Sequence, residues 1–235
     1  MLEDVYDDAY AEVSKTSEYM NGPYTRRFFA RILERTGITG PGRRLLDIGT
    51  GTGTLLEVAA ERGFNAEGVE LNPKLAETAR TKGFKVHTQN VEEIDFADKF
   101  DVITMLDLIE HVYCAPQLLA ACYRALKPSG CLVVFTPNHR GAVVTLACLL
   151  NAMGIRGPLK EIFGGLHVAF YDDRTLTNAL NQTGFHVDAI WRFPYDLKRP
   201  GQPISPIALM AVGAVEWLGR PLGRTFRMVA YARKS

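Results

Sequence analysis

Leu45-Leu46-Asp47-Ile48-Gly49-Thr50-Gly51-Thr52-Gly53-Thr54 runs from an apolar, strand-like segment through a glycine-rich turn into the start of an amphipathic helix. Glycines in such a turn let the backbone reverse tightly and let a ligand approach the main chain, while the helix N-terminus favours a negative group. In an open α/β sheet a ligand belongs outside the carboxyl ends of the strands, where this turn lies. The spacing discriminates between ligands. A dinucleotide fingerprint GxGxxG starting at Gly49 requires glycine at position 54, where Thr54 stands.

Working outward, apolar runs alternate with helical stretches. Arg44 to Ile48, Ala66 to Leu71, Lys85 to Thr88, Phe100 to Leu106 and Cys131 to Thr136 read as strands. Gly53 to Arg62, Pro73 to Lys82 with proline in first position, and Ala115 to Leu126 read as helices between them. That alternation specifies parallel strands joined by right-handed helical crossovers, a doubly wound α/β sheet covered on both faces. After Thr136 the pattern changes: Arg140 to Met153 is an apolar helix, Asp172 caps a helix ending near Thr183, and Ser205 to Leu218 is helical. Phe185 to Phe193 and Thr225 to Arg233 close the chain as strands, an expected antiparallel edge hairpin. The extension from Glu3 to about Thr36 carries aromatic residues at helical spacing and is divided by Asn21-Gly22-Pro23, so two short helices are expected there. The organisation expected is a helical cover over residues 1–40 on one domain over 41–235, with an apolar lid or insertion near 140–165.

Composition removes several function classes. Lys+Arg 27 against Asp+Glu 26 gives a net charge of +1, so no global field gathers nucleic acid and no nucleic-acid partner is expected. Cys114, Cys122, Cys131 and Cys148 fit neither paired zinc spacing nor a disulfide framework and read as free thiols. The longest uncharged runs, Gly141 to Ile155 and Gly201 to Val215, fall short of the ~20 apolar residues of a membrane-spanning helix. The acidic start MLEDVYDDAY has the form of neither a secretory signal nor a transit peptide, so a cytoplasmic location is expected.

The next strand ends in Glu70, 17 positions after Gly53, where a carboxylate can accept two hydrogen bonds from a ribose diol. A glutamine there is expected to retain part of that binding, since an amide oxygen still accepts. The D-x-G-x-G-x-G turn resembles motif I of class I S-adenosylmethionine-dependent methyltransferases. Gln89-Asn90-Val91-Glu92, Phe100 to Val112, and Leu126-Lys127-Pro128-Ser129-Gly130 with the strand after it resemble further segments of that family in order. Two departures stand out: Asn90 replaces the usual acidic residue, and Ser129 replaces the first glycine of the family's LKPGG turn. Gly165 to Asp172, leading to Phe185, is similar to the segment before the sixth strand in small-molecule members, a group that includes the ubiquinone-pathway O-methyltransferases. The resemblance implies a Rossmann-like sheet of seven strands and S-adenosyl-L-methionine as cofactor. The contacts it implies come from Asp47, Gly49, Thr50, Gly51, Gly53, Glu70, Leu71, Asn90, Val91 and Leu106.

The chemistry then needs an aligned acceptor and, for a hydroxyl, a base. Of five histidines, His111 and His167 fall on loops at the ligand end and are the candidate bases, with packing roles the alternative. His87, His139 and His186 read as structural. Asp107, Glu110 and His111 form D-x-x-E-H, similar to a set used near a divalent cation in some ubiquinone-pathway enzymes; no metal is expected, with His111 lining the cofactor pocket. Arg140 to Arg156 and Lys198 to Arg220 set uncharged runs between basic residues. They suit either core and lid helices or helices at a membrane surface or over a lipophilic acceptor. The function expected is methylation of a small molecule at oxygen in a biosynthetic route. Transfer to nitrogen or carbon and a non-catalytic cofactor-binding partner are the alternatives.

Overall fold

The computed structural model describes residues 21–39, 41–163, 167–194 and 206–234. The expected first helix of the N-terminal extension and Gly165-Leu166 lie outside them. Seven strands form one sheet: β1 (Arg44–Ile48), β2 (Asn65–Val69), β3 (Lys85–His87), β4 (Phe100–Leu106), β5 (Leu126–Pro137), β6 (Phe185–Phe193) and β7 (Arg227–Lys234). Their order is β3-β2-β1-β4-β5-β7-β6. The first five run parallel, and β7 is antiparallel to both β5 and β6. The closing pair is thus antiparallel as expected, but β7 takes the place beside β5 and leaves β6 at the edge.

Alternate residues of the central strands feed two cores, which explains why these strands read as unbroken apolar runs. Leu46, Ile103, Leu132 and Val134 face one cluster, closed by α4 (Ala115–Ala125) and α7 (Asp173–Gln182). Leu45, Val102, Cys131 and Val133 face the other, covered by α1 (Pro23–Glu34), α2 (Thr54–Ala60) and α3 (Pro73–Thr81). Local signals act where they were read. Pro73 opens α3 behind Asn72, whose side chain accepts from the N–H groups of Lys74 and Leu75. Asp172 caps α7 in a reciprocal box with Thr175. Three further helices, α5 (Ala142–Ala152), α6 (Gly157–Phe163) and α8 (Pro206–Gly219), lie outside this sandwich pattern; α5 follows the carboxyl end of β5 and α8 connects β6 to β7.

The Leu126 to Gly130 turn is absorbed into β5 as an irregularity: Phe100 pairs with Leu126, yet Val102 pairs with Cys131. Ser129 there has a left-handed φ of 62°, so a serine occupies a conformation that suits glycine. Ser129→Gly is expected to raise the unfolding free energy by about 1 kcal/mol in chemical denaturation, because the left-handed strain of a Cβ is removed. An unchanged or lower stability would show the turn to be unstrained.

Candidate active site

The glycine turn is held left-handed at three points: Gly49 at φ 76°, Gly51 at 55° and Gly53 at 84°. Each glycine has a separate reason. A Cβ on Gly49 would come within 3.3 Å of Leu108, and one on Gly53 within 3.0 Å of Ala79 on α3. One on Gly51 would meet nothing within 4 Å, so the main chain there borders open space. The turn is fastened to the neighbouring strand by hydrogen bonds from Gly49 N (2.8 Å) and Thr50 N (3.1 Å) to the carbonyl of Val69. Gly68, which the sequence reading did not single out, makes room for this: its Cβ would lie 2.7 Å from the Thr50 methyl.

Glu70, just past β2, is half-buried and reaches across to the turn. One carboxylate oxygen accepts from Gly51 N at 2.8 Å and the other from Asn72 N at 2.9 Å. The two backbone donors fix the orientation of the carboxylate between the turn and α3. Asp47, at the end of β1, is buried and accepts from the Thr104 hydroxyl at 2.7 Å. Burial, with the charge of Glu70 adding to it, pushes the Asp47 carboxyl up to about 7 against the opposing hydrogen bond of Thr104. Leu71 is exposed beside Glu70, Val91 is buried at the start of a short 3-10 turn, and exposed Asn90 donates to Glu93 at 3.3 Å. Leu106, at the end of β4, is half-buried.

After β4 the chain turns through Asp107, whose φ of 50° is left-handed, and reaches the second cluster. Leu108, the residue against Gly49, accepts through its carbonyl from His111 N at 2.9 Å. The rings of His111 and His167 meet edge to face, 4.8 Å between centroids. Glu110 holds that meeting together. Its carbonyl accepts from Val168 N (2.9 Å) and Ala169 N (3.0 Å), and its buried carboxylate accepts from the Thr136 hydroxyl (2.9 Å). Burial first, then the nearby charge of Asp107, pushes the Glu110 carboxyl up to about 8. Burial and His111 hold His167 below its usual value, with Asp107 opposing them.

A small cavity beside this pair is lined by Glu110, Thr136, His139, His167, Phe170 and Tyr171. His139, read as structural from the sequence, therefore borders the site: its N–H donates to the Tyr171 carbonyl at 2.7 Å, and its ring lies 5.0 Å from that of Phe170. Thr136 and Tyr171 lay within segments read from the sequence, but neither was singled out there as a site residue. His87 does sit in a structural setting, 3.0 Å from Glu67 and edge-on to Phe96. Among the described residues, Glu110, His111 and His167 bring one ligand atom each within 4.8 Å of one another. Asp107, the first residue of D-x-x-E-H, is not in that set, and His167 from a distant segment takes its place.

A family model described as a methyltransferase domain matches residues 19–190. A ubiquinone biosynthesis O-methyltransferase of Xanthomonas oryzae pv. oryzae is 34% identical over 114 residues, 45% of this chain and 48% of that protein. The protein of the same name from Thiobacillus denitrificans is 30% identical over 165 residues, 66% of this chain and 69% of its own length. The chain thus spans about half the length of the curated relatives it first matches. Among solved structures, an S-adenosylmethionine-dependent methyltransferase from Archaeoglobus fulgidus superposes with a TM-score of 0.64 at 24% identity, covering 97% of this chain and all of that one. That likeness is one of fold.

A buried carboxyl with a raised pKa resists ionisation in the folded state, so its contribution to stability is present at low pH and is lost as pH rises through the folded value. Glu110→Gln keeps an acceptor for Thr136 and removes the ionisation. Above pH 8 the variant is expected to be more stable than the parent in chemical denaturation, with the gap closing as pH falls toward 4.5. A gap independent of pH would show that Glu110 ionises freely in the fold.

Proposed function

The chain belongs to the class I S-adenosylmethionine-dependent methyltransferases, and on that premise we propose that it methylates a small ring-bearing or lipophilic acceptor at oxygen. The observation that carries this reading is the joining, through Leu108, of the glycine turn to the His111–His167 pair at one edge of the sheet. The cofactor half and a proton-accepting half are thereby adjacent.

The residues present fit S-adenosyl-L-methionine. The main chain at Gly51 is open, Glu70 holds a carboxylate against that turn where it can accept from a ribose diol, and exposed Leu71 offers an apolar surface next to it. Thr50, Gly49 and Gly53 shape the turn, Asp47 and Leu106 flank it, and Asn90 and Val91 follow β3, where an amide can meet a base edge. When bound, the cofactor supplies a methyl group already activated on a sulfonium, so the protein has to position the acceptor and manage one proton. His167, held neutral by burial, can take the proton of an acceptor hydroxyl at a ring nitrogen, and His111 packs against its face or edge to orient it. Glu110 fixes the His167 segment through its carbonyl. We read this site as metal-free, with Glu110 acting as a structural tie whose carboxylate accepts from Thr136 and whose carbonyl accepts from Val168 N and Ala169 N.

Aromatic lining supports a ring-bearing acceptor: Phe170 and Tyr171 border the cavity beside the histidines. Phe28 of α1 packs on Phe135 and Phe193 at 5.4 and 5.2 Å between centroids, and the carbonyl of Phe135 accepts from Asp107 N at 3.0 Å. Among the described residues, α1 lies over this face of the sheet as a cover would.

Glu70→Ala should weaken binding of S-adenosylhomocysteine by about 1.5–3 kcal/mol in calorimetry. Glu70→Gln should lose nearly as much, a revision that follows from the structure: an amide nitrogen would face the N–H of Gly51 or Asn72. Unaltered affinity in both would put the ribose elsewhere.

His167→Ala should lower turnover by about 10²–10⁴ without weakening cofactor binding. With its pKa held below 6.5, the parent's rate should fall with acidification only below that pH. Full activity in the variant would leave His111 as the base.

A further inference from the structure

We propose that the outer face shared by α5 and α8 is a docking surface that lays the carboxyl edge of the sheet against an anionic lipid bilayer. This goes beyond the catalytic reading and rests on other residues. A helix that merely covers a core turns polar residues outward. These two do the opposite. Met153 just past α5 and Met210 on α8 are each 77% exposed, and Trp217 is 69% exposed, with Leu149 and Leu218 beside them. The α5 sequence, AVVTLACLLNA, has no acidic or basic residue, and the single acid of α8, Glu216, is buried with its carboxylate accepting from Phe226 N at 3.3 Å.

The two helices form one surface rather than two. Gly219 at the end of α8 approaches α5 so closely that a Cβ would lie 2.9 Å from that of Ala142, and Ala142 N donates to the Arg224 carbonyl at 2.7 Å. Charge at the rim identifies the occupant. Arg156 follows α5, and Arg220 and Arg224 follow α8; all three are exposed, and among the described residues none has a carboxylate partner. Apolar side chains bordered by unpaired guanidinium groups match acyl chains beneath phosphate headgroups. A second copy of the chain would bring the same three arginines, with no exposed acidic group from α5 or α8, to the shared surface. No helix among the described residues is long and apolar enough to cross a membrane, so the face lies on the bilayer. Its position also fits. Residue 138, immediately beyond β5, pairs with Tyr171 in the wall of the histidine cavity, and α5 starts four residues later. Exposed Val168 and Phe170 occupy the same edge.

The test needs neither cofactor nor acceptor, so it stands or falls apart from the catalytic reading. The full chain is sedimented with vesicles of phosphatidylcholine, with and without phosphatidylglycerol. It should pellet with the anionic vesicles, be released by salt, and stay largely in solution with the zwitterionic ones. Arg156→Glu with Arg220→Glu, and separately Leu149→Glu with Trp217→Glu, should each weaken partitioning by more than about tenfold. Circular dichroism and an unchanged thermal unfolding midpoint confirm that these surface variants fold. A parent that does not pellet with anionic vesicles, or folded variants that pellet as well as the parent, would overturn the proposal. So would light scattering that finds a lipid-free dimer which Leu149→Glu dissociates, because a second copy would then cover the face.

Discussion

The carboxyl edge of the sheet depends on a backbone constraint: a turn with three left-handed glycines has to leave β1 and stay fastened to β2. The fastening is made of hydrogen bonds that only the assembled sheet supplies, from Gly49 and Thr50 to the Val69 carbonyl and from Gly51 to the Glu70 carboxylate. Each closes a donor that the left-handed backbone would otherwise leave open near the interior. The same Glu70 caps the approach to α3 by accepting from Asn72, whose own side chain caps that helix. One carboxylate therefore ties the first crossover to the second before any ligand is present, so the site is organised in advance.

A second tie, at Glu110, does for the 167–169 segment what Glu70 does for the glycine turn. Its carbonyl collects two N–H groups from the 167–169 segment, while its carboxyl is buried against Thr136 at the end of β5. Burial shifts Glu70's neighbour Asp47 and Glu110 in the same direction, toward the uncharged form near neutral pH. Burial and the neighbouring His111 favour the neutral form of His167, against the charge of Asp107. The apolar α5–α8 face starts from the same edge of the sheet as the histidine pair.

The strand-and-helix alternation, the glycine turn, the Pro73 helix start and the Asp172 cap were all legible in the chain. These are local features: each depends on side-chain period or on backbone preference within a few residues. For the same reason the two faces of the sheet followed from Leu45 and Leu46 pointing opposite ways. What stayed hidden involves partners far apart in sequence. The insertion of β7 between β5 and β6 is a matter of which edge offers unpaired backbone groups. The meeting of His111 with His167 spans 56 positions and is made by the carbonyl of Glu110, which no motif can advertise. His139 looked like a structural histidine until the Tyr171 segment came to lie beside it. Glu70 was recognised as an acceptor, yet its two backbone donors, and hence the cost of an amide there, appear only once β2 lies against the turn. Sequence by itself determined the period, the turn chemistry and the ligand end of the sheet, because those are set within a few residues by sterics. Only the tertiary structure decided which distant groups share a dry environment, and desolvation by that environment is what sets the charge of Asp47, Glu110 and His167.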